Sequence, residues 1–343
     1  MENKETVLVT GGSGFIATHC IIVLLKNGYK VKASLRSLKK SELVKEMLTK
    51  GGINSFENLS FVEAELSNEK SWETAAEGCQ YVIHTASPTP NTDAKSEDDF
   101  VTPAVNGVLF VLRAAKKAGV KRVVLTSAFG AVGFGTNKTT PYTEEDWTVI
   151  NGTVAPYQRS KIISEKAAWE FIKKEGEGME LSVINPIGVL GPILSHDYSH
   201  SIQTIKNMLN GGMKSCPKAA FGYVDVRDVA DLHFLAMTKS EANGQRFIAV
   251  EGKALSFLET ANILKKNFGE KARNVPSKEV SNWVIKLVAL FNPKAKLIIP
   301  YLGLVKEASN EKAKTLLGWK PRKVEEAVVA TAQSLIDFKE VNV

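Results

Sequence analysis

Tyr157 and Lys161 stand four residues apart in a stretch with helical periodicity, so their side chains share one face, one turn apart. A phenol beside an ammonium is a proton-transfer pair. Tyrosine has a reference pKa of about 10 and releases its proton reluctantly near neutrality. A neighbouring cation favours the phenolate and eases proton delivery to an alkoxide, the species formed when a carbonyl carbon accepts hydride. A shift of about three units would relieve roughly 4 kcal/mol, near a thousandfold in rate if fully expressed at the transition state. Taken alone, Tyr-x-x-x-Lys is a weak pattern, and its weight comes from the rest of the chain.

A hydride donor has to be held next to that pair, and the first residues supply a cradle for one. Val7-Leu8-Val9-Thr10 reads as a buried strand, and Gly11-Gly12-Ser13-Gly14-Phe15-Ile16-Ala17 follows it into a helix. Glycines there allow a sharp turn and close approach of backbone to a diphosphate, whose charge meets free N–H groups at the helix N-terminus. Gly11, Gly14, Phe15 and Ile16 are therefore expected cofactor contacts. The second strand ends in Arg36 where a fold selecting NAD carries an acidic residue. Arg36, with Lys40 a turn later, can pair with a 2′-phosphate, which points to NADP(H), although a strand-end arginine can also simply face solvent. Glu65 and Leu66 close the third strand near the adenine. Thr85, Ala86 and Ser87 close the fourth, and Thr126 the fifth, at the carboxyl edge where such a cofactor lies.

These groups need a scaffold that brings strand ends together. Short apolar runs at 6–10, 30–35, 59–64, 81–85, 122–126 and 181–185 alternate with helical patterns beginning near Phe15, Lys39, Glu69, Phe100 and Tyr157. This is the α/β pattern of a doubly wound parallel sheet, a Rossmann fold. After Pro186 the regularity breaks. Helical patterns at 202–209, 257–268, 277–290 and 324–338 and a short strand at 247–250 predict a smaller, mostly helical C-terminal lobe. The expected division is a dinucleotide-binding domain over 1–187, rejoined by 222–250, and a substrate-binding lobe over 188–343.

With 343 residues, 44% apolar and 24% charged, the composition is that of an ordinary globular protein. The net charge of +7 is spread along helices beside acidic residues, with no basic run interleaved with stacking aromatics, which argues against nucleic acid. Cys20, Cys79 and Cys216 are widely spaced and are expected to be reduced. No signal-peptide pattern and no apolar run of membrane-spanning length is seen, so the expected setting is the cytoplasm, as a monomer or homodimer without membrane contact. His196 and His200 lack a third ligand at useful spacing, so no metal site is expected.

Several further segments make the pattern specific: His84-Thr85-Ala86-Ser87-Pro88, Pro103-Ala104-Val105-Asn106-Gly107-Val108, Ser160-Lys161 after Tyr157, Asn185-Pro186 with Gly191-Pro192, and Tyr223-Val224-Asp225-Val226-Arg227-Asp228-Val229-Ala230. With the cradle they resemble the extended short-chain dehydrogenases/reductases, in the branch of dihydroflavonol reductases and yeast-type methylglyoxal, isovaleraldehyde and other aldehyde reductases, over nearly the whole chain. The resemblance implies an oxidoreductase that uses NADP(H) to reduce a small aldehyde or ketone. It implies that Arg36 and Lys40 bind the 2′-phosphate, that Asn106 supports a proton relay with Lys161, and that Pro186 and Val189 lie along the nicotinamide. In one place the chain departs from the family. The fifth strand usually ends Thr-Ser-Ser, with the second serine donating to the substrate carbonyl, and here the run is Thr126-Ser127-Ala128. Losing such a donor typically costs about 3 kcal/mol. Ser127 is the best remaining hydroxyl, on the condition that the strand end is irregular.

By position, Phe129 and Val154, with Tyr157 itself, are candidate substrate contacts, and His196 and Tyr198 candidate pocket walls. A largely apolar pocket suits aliphatic or aromatic carbonyl compounds. Two rival readings share these residues: a nucleotide-sugar epimerase or dehydratase with internal NAD, and an NADP(H)-binding regulator without turnover.

Overall fold

The computed structural model describes residues 5–88, 98–136, 138–152, 154–291, 299, 302–303 and 305–342. Strands and helices alternate through the first half: β1 (Thr6–Thr10), α1 (Phe15–Lys26), β2 (Lys30–Leu35), α2 (Ser41–Lys50), β3 (Leu59–Glu63), α3 (Glu69–Ala76), β4 (Tyr81–His84), α4 (Asp98–Lys117), β5 (Arg122–Thr126), α5 (Pro156–Glu175) and β6 (Glu180–Pro186). There follow β7 (Gly188–Leu190), α6 (His200–Leu209), β8 (Cys216–Pro217), β9 (Ala220–Asp225), α7 (Val226–Thr238), β10 (Arg246–Ala249), β11 (Glu251–Ser256), α8 (Phe257–Phe268), β12 (Glu279–Val280), α9 (Asn282–Val288), α10 (Glu311–Leu317) and α11 (Val324–Asp337).

Successive residues of a strand point to opposite faces, and the strands of the first half are apolar at both. Val7 and Val9 of β1 enter one core with Val31, Ile83 and Val124, beneath α1, α2 and α7. Leu8 enters the other with Val82, Val123 and Leu125, beneath α3, α4 and α5. A sheet buried on both faces is the setting for parallel strands joined by helical crossovers. The seven strands run β3-β2-β1-β4-β5-β6-β10, and every pairing between them is parallel. The direction of winding reverses between β1 and β4, so the loops after these two strands diverge and leave a crevice at the carboxyl edge.

The C-terminal part is built on a second core. Leu190 and Ile193 pack with Ile202 and Ile205 of α6, Ala261 and Leu264 of α8 and Val328 and Leu335 of α11. Besides helices it contains a three-stranded sheet, β11-β9-β7, and a two-stranded one, β12-β8. No helix among the described residues is long and apolar enough to cross a membrane.

Arg122 shows how tightly the layers are joined. It is buried, donates Nε to Glu180 Oε2 at 2.6 Å, and donates Nη1 to the carbonyls of Ala236, Met237 and Lys239, where α7 ends. A guanidinium there meets the negative end of the helix dipole and satisfies carbonyls that lack an intrahelical partner. Arg122→Met is expected to destabilise the fold by roughly 2–4 kcal/mol, since it strands those acceptors, read as a lowered urea midpoint with unchanged slope. A change below about 0.5 kcal/mol would mean that water replaces the guanidinium at no cost.

Candidate active site

The turn after β1 is shaped by its glycines. Gly11 takes φ +67°, a left-handed value, and a Cβ there would come 3.2 Å from Ala86, while one on Gly12 would come 2.9 Å from the Ala33 side chain. Ser34 secures the turn, its hydroxyl accepting from Gly11 N–H at 3.1 Å and its carbonyl from Gly12 N–H at 2.8 Å. Gly14 caps α1 without a side-chain acceptor, and no acidic residue lies in the first turn, so the N–H groups of Phe15 and Ile16 are left to an anion. These residues fit a dinucleotide diphosphate. Arg36 and Lys40 are exposed just beyond β2, with no acidic partner among the described residues. Glu65 is exposed and Leu66 half-buried after β3.

Beside the cradle, Thr85 Oγ1 donates to Thr10 carbonyl at 2.6 Å and Ala86 N–H to Thr10 Oγ1 at 3.0 Å, which ties the ends of β1 and β4 together. A narrow cleft of only about 10 Å³ lies there, lined by Leu66, Ala86, Ser87, Thr126, Ser127, Lys161 and Ser164, and Tyr157 is not part of its lining. Lys161 is only 8% exposed and its Nζ donates to Ser87 Oγ at 3.1 Å. Burial pulls its pKa down to about 8, and the charge of Glu165 opposes that fall.

Tyr157 lies in the first turn of α5, which opens with Pro156, and the Lys161 ammonium is 5.9 Å from the centre of its ring. Tyr157 is 42% exposed as a residue, while packing around the phenol raises its pKa through desolvation. The sequence argument has the ammonium lowering it. The structure differs because Lys161 is bonded to Ser87 and faces the ring, so in the protein alone burial of the phenol dominates.

Strand β5 ends regularly. Ser127 N–H extends the ladder to Ile184 carbonyl at 2.8 Å, and Ala128 stays extended at φ −160°, ψ 159°. The Thr126 hydroxyl meets His233 Nε2 at 2.7 Å on one face, and the Ser127 hydroxyl donates to Glu165 Oε2 at 2.5 Å on the other. Ser127 lines the cleft, but its hydroxyl is already committed, so it does not stand in for the donor that Ala128 lacks. Asn106 makes no hydrogen bond to Lys161 among the described residues. It is exposed on α4, whose Ala104 and Val108 wall the cleft from the other face of that helix.

Pro186 ends β6 in a buried position, and Val189 of β7 is 7% exposed with its carbonyl accepting from Ser199 Oγ. Phe129 belongs to a small core with Val132, Tyr142 and Ile248, and Val154 is buried too. His196 and Tyr198 point away from the cleft to Glu340: Nδ1 of His196 meets Oε1 at 2.5 Å and the Tyr198 hydroxyl donates to Oε2 at 2.9 Å. Lys206 completes that cluster, and with His196 it holds the Glu340 carboxyl at about 2. The side chain of His200 lies outside the described residues. No metal-binding cluster occurs among the described residues.

The sequence profile of the NAD dependent epimerase/dehydratase family matches residues 7–249. The chain belongs to that family. It is 32% identical over 354 residues to the NADPH-dependent methylglyoxal reductase of Saccharomyces cerevisiae, covering 97% of this chain and 99% of the relative. Cinnamoyl-CoA reductase 1 of Arabidopsis thaliana is 35% identical over 297 residues, 85% of this chain and 83% of its own length. Among solved structures, yeast methylglyoxal/isovaleraldehyde reductase complexed with NADPH superposes with a TM-score of 0.79 at 30% identity, over 98% of this chain and 99% of that one. Like this chain, these belong to the extended short-chain dehydrogenase/reductase group.

Sequence reasoning missed Glu165 and Arg246, whose paired charges lie under the cleft at 2.6 Å. The signal was available, because Glu165 repeats the four-residue step from Tyr157 to Lys161 on the same helix face. The buried ammonium gives a linkage prediction. With a folded pKa near 8 against an unfolded value near 10.4, Lys161 lowers stability fully below pH 8, and that penalty is relieved as pH rises to the unfolded value. Urea titrations of the cofactor-free protein are expected to show Lys161→Met more stable at pH 7, with wild type regaining about 3 kcal/mol on it between pH 8 and 10.5. Parallel pH profiles for the two proteins would show a solvated ammonium instead.

Proposed function

We propose that this protein is an NADPH-dependent reductase that converts a small aldehyde or ketone to the alcohol, with the proton delivered from Tyr157 and charge support from Lys161. The carrying observation is the meeting of a desolvated phenol and a buried ammonium at the carboxyl edge of the sheet, beside a glycine turn that fits a diphosphate. The relatives support the reading, since the curated yeast protein is named for NADPH and methylglyoxal and its solved counterpart contains NADPH.

Arg36 and Lys40 would hold the 2′-phosphate by charge, with Gly11, Gly14, Phe15 and Ile16 at the diphosphate and Glu65 and Leu66 at the adenine. Thr85, Ala86, Ser87 and Thr126 would border the ribose and nicotinamide, with Pro186 and Val189 across from them. The nicotinamide supplies hydride when bound. On the protein side, the hydroxyl of Tyr157 gives its proton to the carbonyl oxygen as negative charge develops there, and Lys161 stabilises the phenolate left behind. Phe129 and Val154, both buried, would give the substrate side its apolar character. Cys20, Cys79 and Cys216 are free and buried, which suits a reducing cytoplasm.

The test is NADPH oxidation, followed by absorbance, with a panel including methylglyoxal, isovaleraldehyde and aromatic ketones. Turnover with at least one member is expected, together with a loss of at least about a hundredfold in Tyr157→Phe. NADPH binding without reduction of any member would overturn the reading in favour of a sensor. A second measurement addresses the missing hydroxyl. Ala128→Ser is expected to raise kcat/KM by up to about a hundredfold, and an unchanged value with intact NADPH binding would show that another group already holds the carbonyl.

A further inference from the structure

Glu165 follows Lys161 by one turn of α5 and is fully buried, although nothing in the proposed reaction so far uses it. Its carboxylate gathers donors from four elements. Oε2 accepts from Ser127 Oγ at 2.5 Å, at the end of β5, and from Asn185 Nδ2 at 2.8 Å, near the end of β6. Oε1 accepts from Arg246 Nε of β10 at 2.6 Å and from Trp169 Nε1 of its own helix at 3.4 Å. Two donors on each oxygen fill the acceptor capacity of a carboxylate. The same Asn185 amide also donates to the Ala128 carbonyl at 3.2 Å, so one side chain fixes the last residues of both strands.

A buried ion pair is weak support for stability, because desolvating two charges offsets much of their attraction. Its position suggests another use. Ser127 and Lys161 both line the cleft, and Ala128 and Pro186 end the strands that border it. We propose that Glu165 is a positioning residue for the reduction, fixing the ends of β5 and β6 at the cleft and placing a buried carboxylate one helical turn from the Lys161 ammonium. The inference rests on the reductase reading for its purpose, while the effect on Lys161 belongs to the protein whether or not it turns over.

The groups around Lys161 leave the opposing charge to Glu165. Tyr157 faces the ammonium from its own helix and Ser87 from the loop after β4, and among the described residues α4 lines the cleft with Ala104 and Val108. His84 of β4 is held near 3 by burial and then by the Lys161 charge, so it stays neutral. Arg246 lies on the far side of Glu165, where it also donates to the Glu144 and Asp146 carbonyls. Among the described residues, Glu165 supplies the charge that opposes the neutralisation of Lys161.

The experiment follows the Lys161 side chain directly, by NMR of full-length protein carrying lysine labelled at Cε, with the signal assigned through Lys161→Met. Glu165→Gln is expected to lower the Lys161 titration midpoint by about one pH unit, and Arg246→Gln to raise it. Glu165→Asp, which keeps the charge, is expected to return it toward wild type. Where Glu165→Gln alone fails to fold because it strands the guanidinium, the double variant Glu165→Gln/Arg246→Gln is compared with Arg246→Gln. Those two differ only in the Glu165 charge, and the double variant must titrate about one pH unit lower. On the activity side, the alkaline limb of kcat/KM is expected to move with the NMR midpoint. Midpoints that stay put, or move the same way in both single variants, reduce Glu165 to a structural ion pair. Failure of the reductase reading shows separately, as wild-type protein inactive on every carbonyl compound while the midpoints still shift.

Discussion

An ammonium held almost out of water at the carboxyl edge of the sheet is the constraint around which the site is built. Lys161 is pulled toward neutrality by its own burial, yet its use beside a phenol requires the charge. Compensation comes in layers. Ser87 gives one hydrogen bond, Glu165 gives opposite charge, and Glu165 is in turn satisfied by Arg246, Ser127 and Asn185. Ser87, Arg246, Ser127 and Asn185 come from four different strands or strand ends, so the surroundings of one lysine are coupled to the register of the parallel sheet. Ser127 and Asn185 are joined to the ammonium in this way through Glu165.

The sheet makes that coupling affordable in geometric terms. Strands buried on both faces cannot slip by one residue without exchanging their two cores, Val7 and Val9 for Leu8 in β1, for example. The carboxyl ends are thereby fixed relative to one another, and the reversal between β1 and β4 opens the crevice beside the glycine turn. The second core then closes the far side. His19 of α1, buried with its pKa pushed down to about 4, meets the Pro192 carbonyl at 3.1 Å, and Trp319 Nε1 reaches the Asp228 carbonyl at 2.9 Å. These contacts join the C-terminal part to the first helix and to α7.

How far such a site can be read without coordinates depends on the range of the interactions. Strands β1, β2 and β5 and helix α8 have the residue bounds their apolar periods indicate, since local pattern and tertiary burial agree there. The pair Tyr157 and Lys161 was legible for the same reason, being local to one helix. The strands β7, β8, β11 and β12 were not, because three of them are only two or three residues long, β11 has no apolar alternation, and their pairing joins distant segments. In the site, the fate of the Ser127 hydroxyl depended on Glu165, which is 38 residues away in sequence, and the direction of Asn106 on how α4 packs. The sign of the Tyr157 pKa shift also escaped, because residue spacing shows a neighbouring cation but not how completely water is excluded from the hydroxyl.

Why Ser127 cannot simply turn toward a substrate follows from the strand itself. Thr126 and Ser127 alternate faces, and each hydroxyl ends on a buried partner, His233 on one side and Glu165 on the other. Releasing Ser127 would leave a carboxylate oxygen with one donor fewer in a dry site, a cost of about 1.5–3 kcal/mol for a bond to a charged group. The gain from a new donor at a developing oxyanion is of similar size, about 3 kcal/mol. The two nearly cancel, so the strand has no drive to rearrange, and in the proposed reaction a methyl group at 128 would leave the carbonyl oxygen chiefly to Tyr157. A reductase arranged in this way depends more heavily on the state of its phenol, and through it on the Lys161–Glu165 relation, than one with two hydroxyls sharing the oxygen.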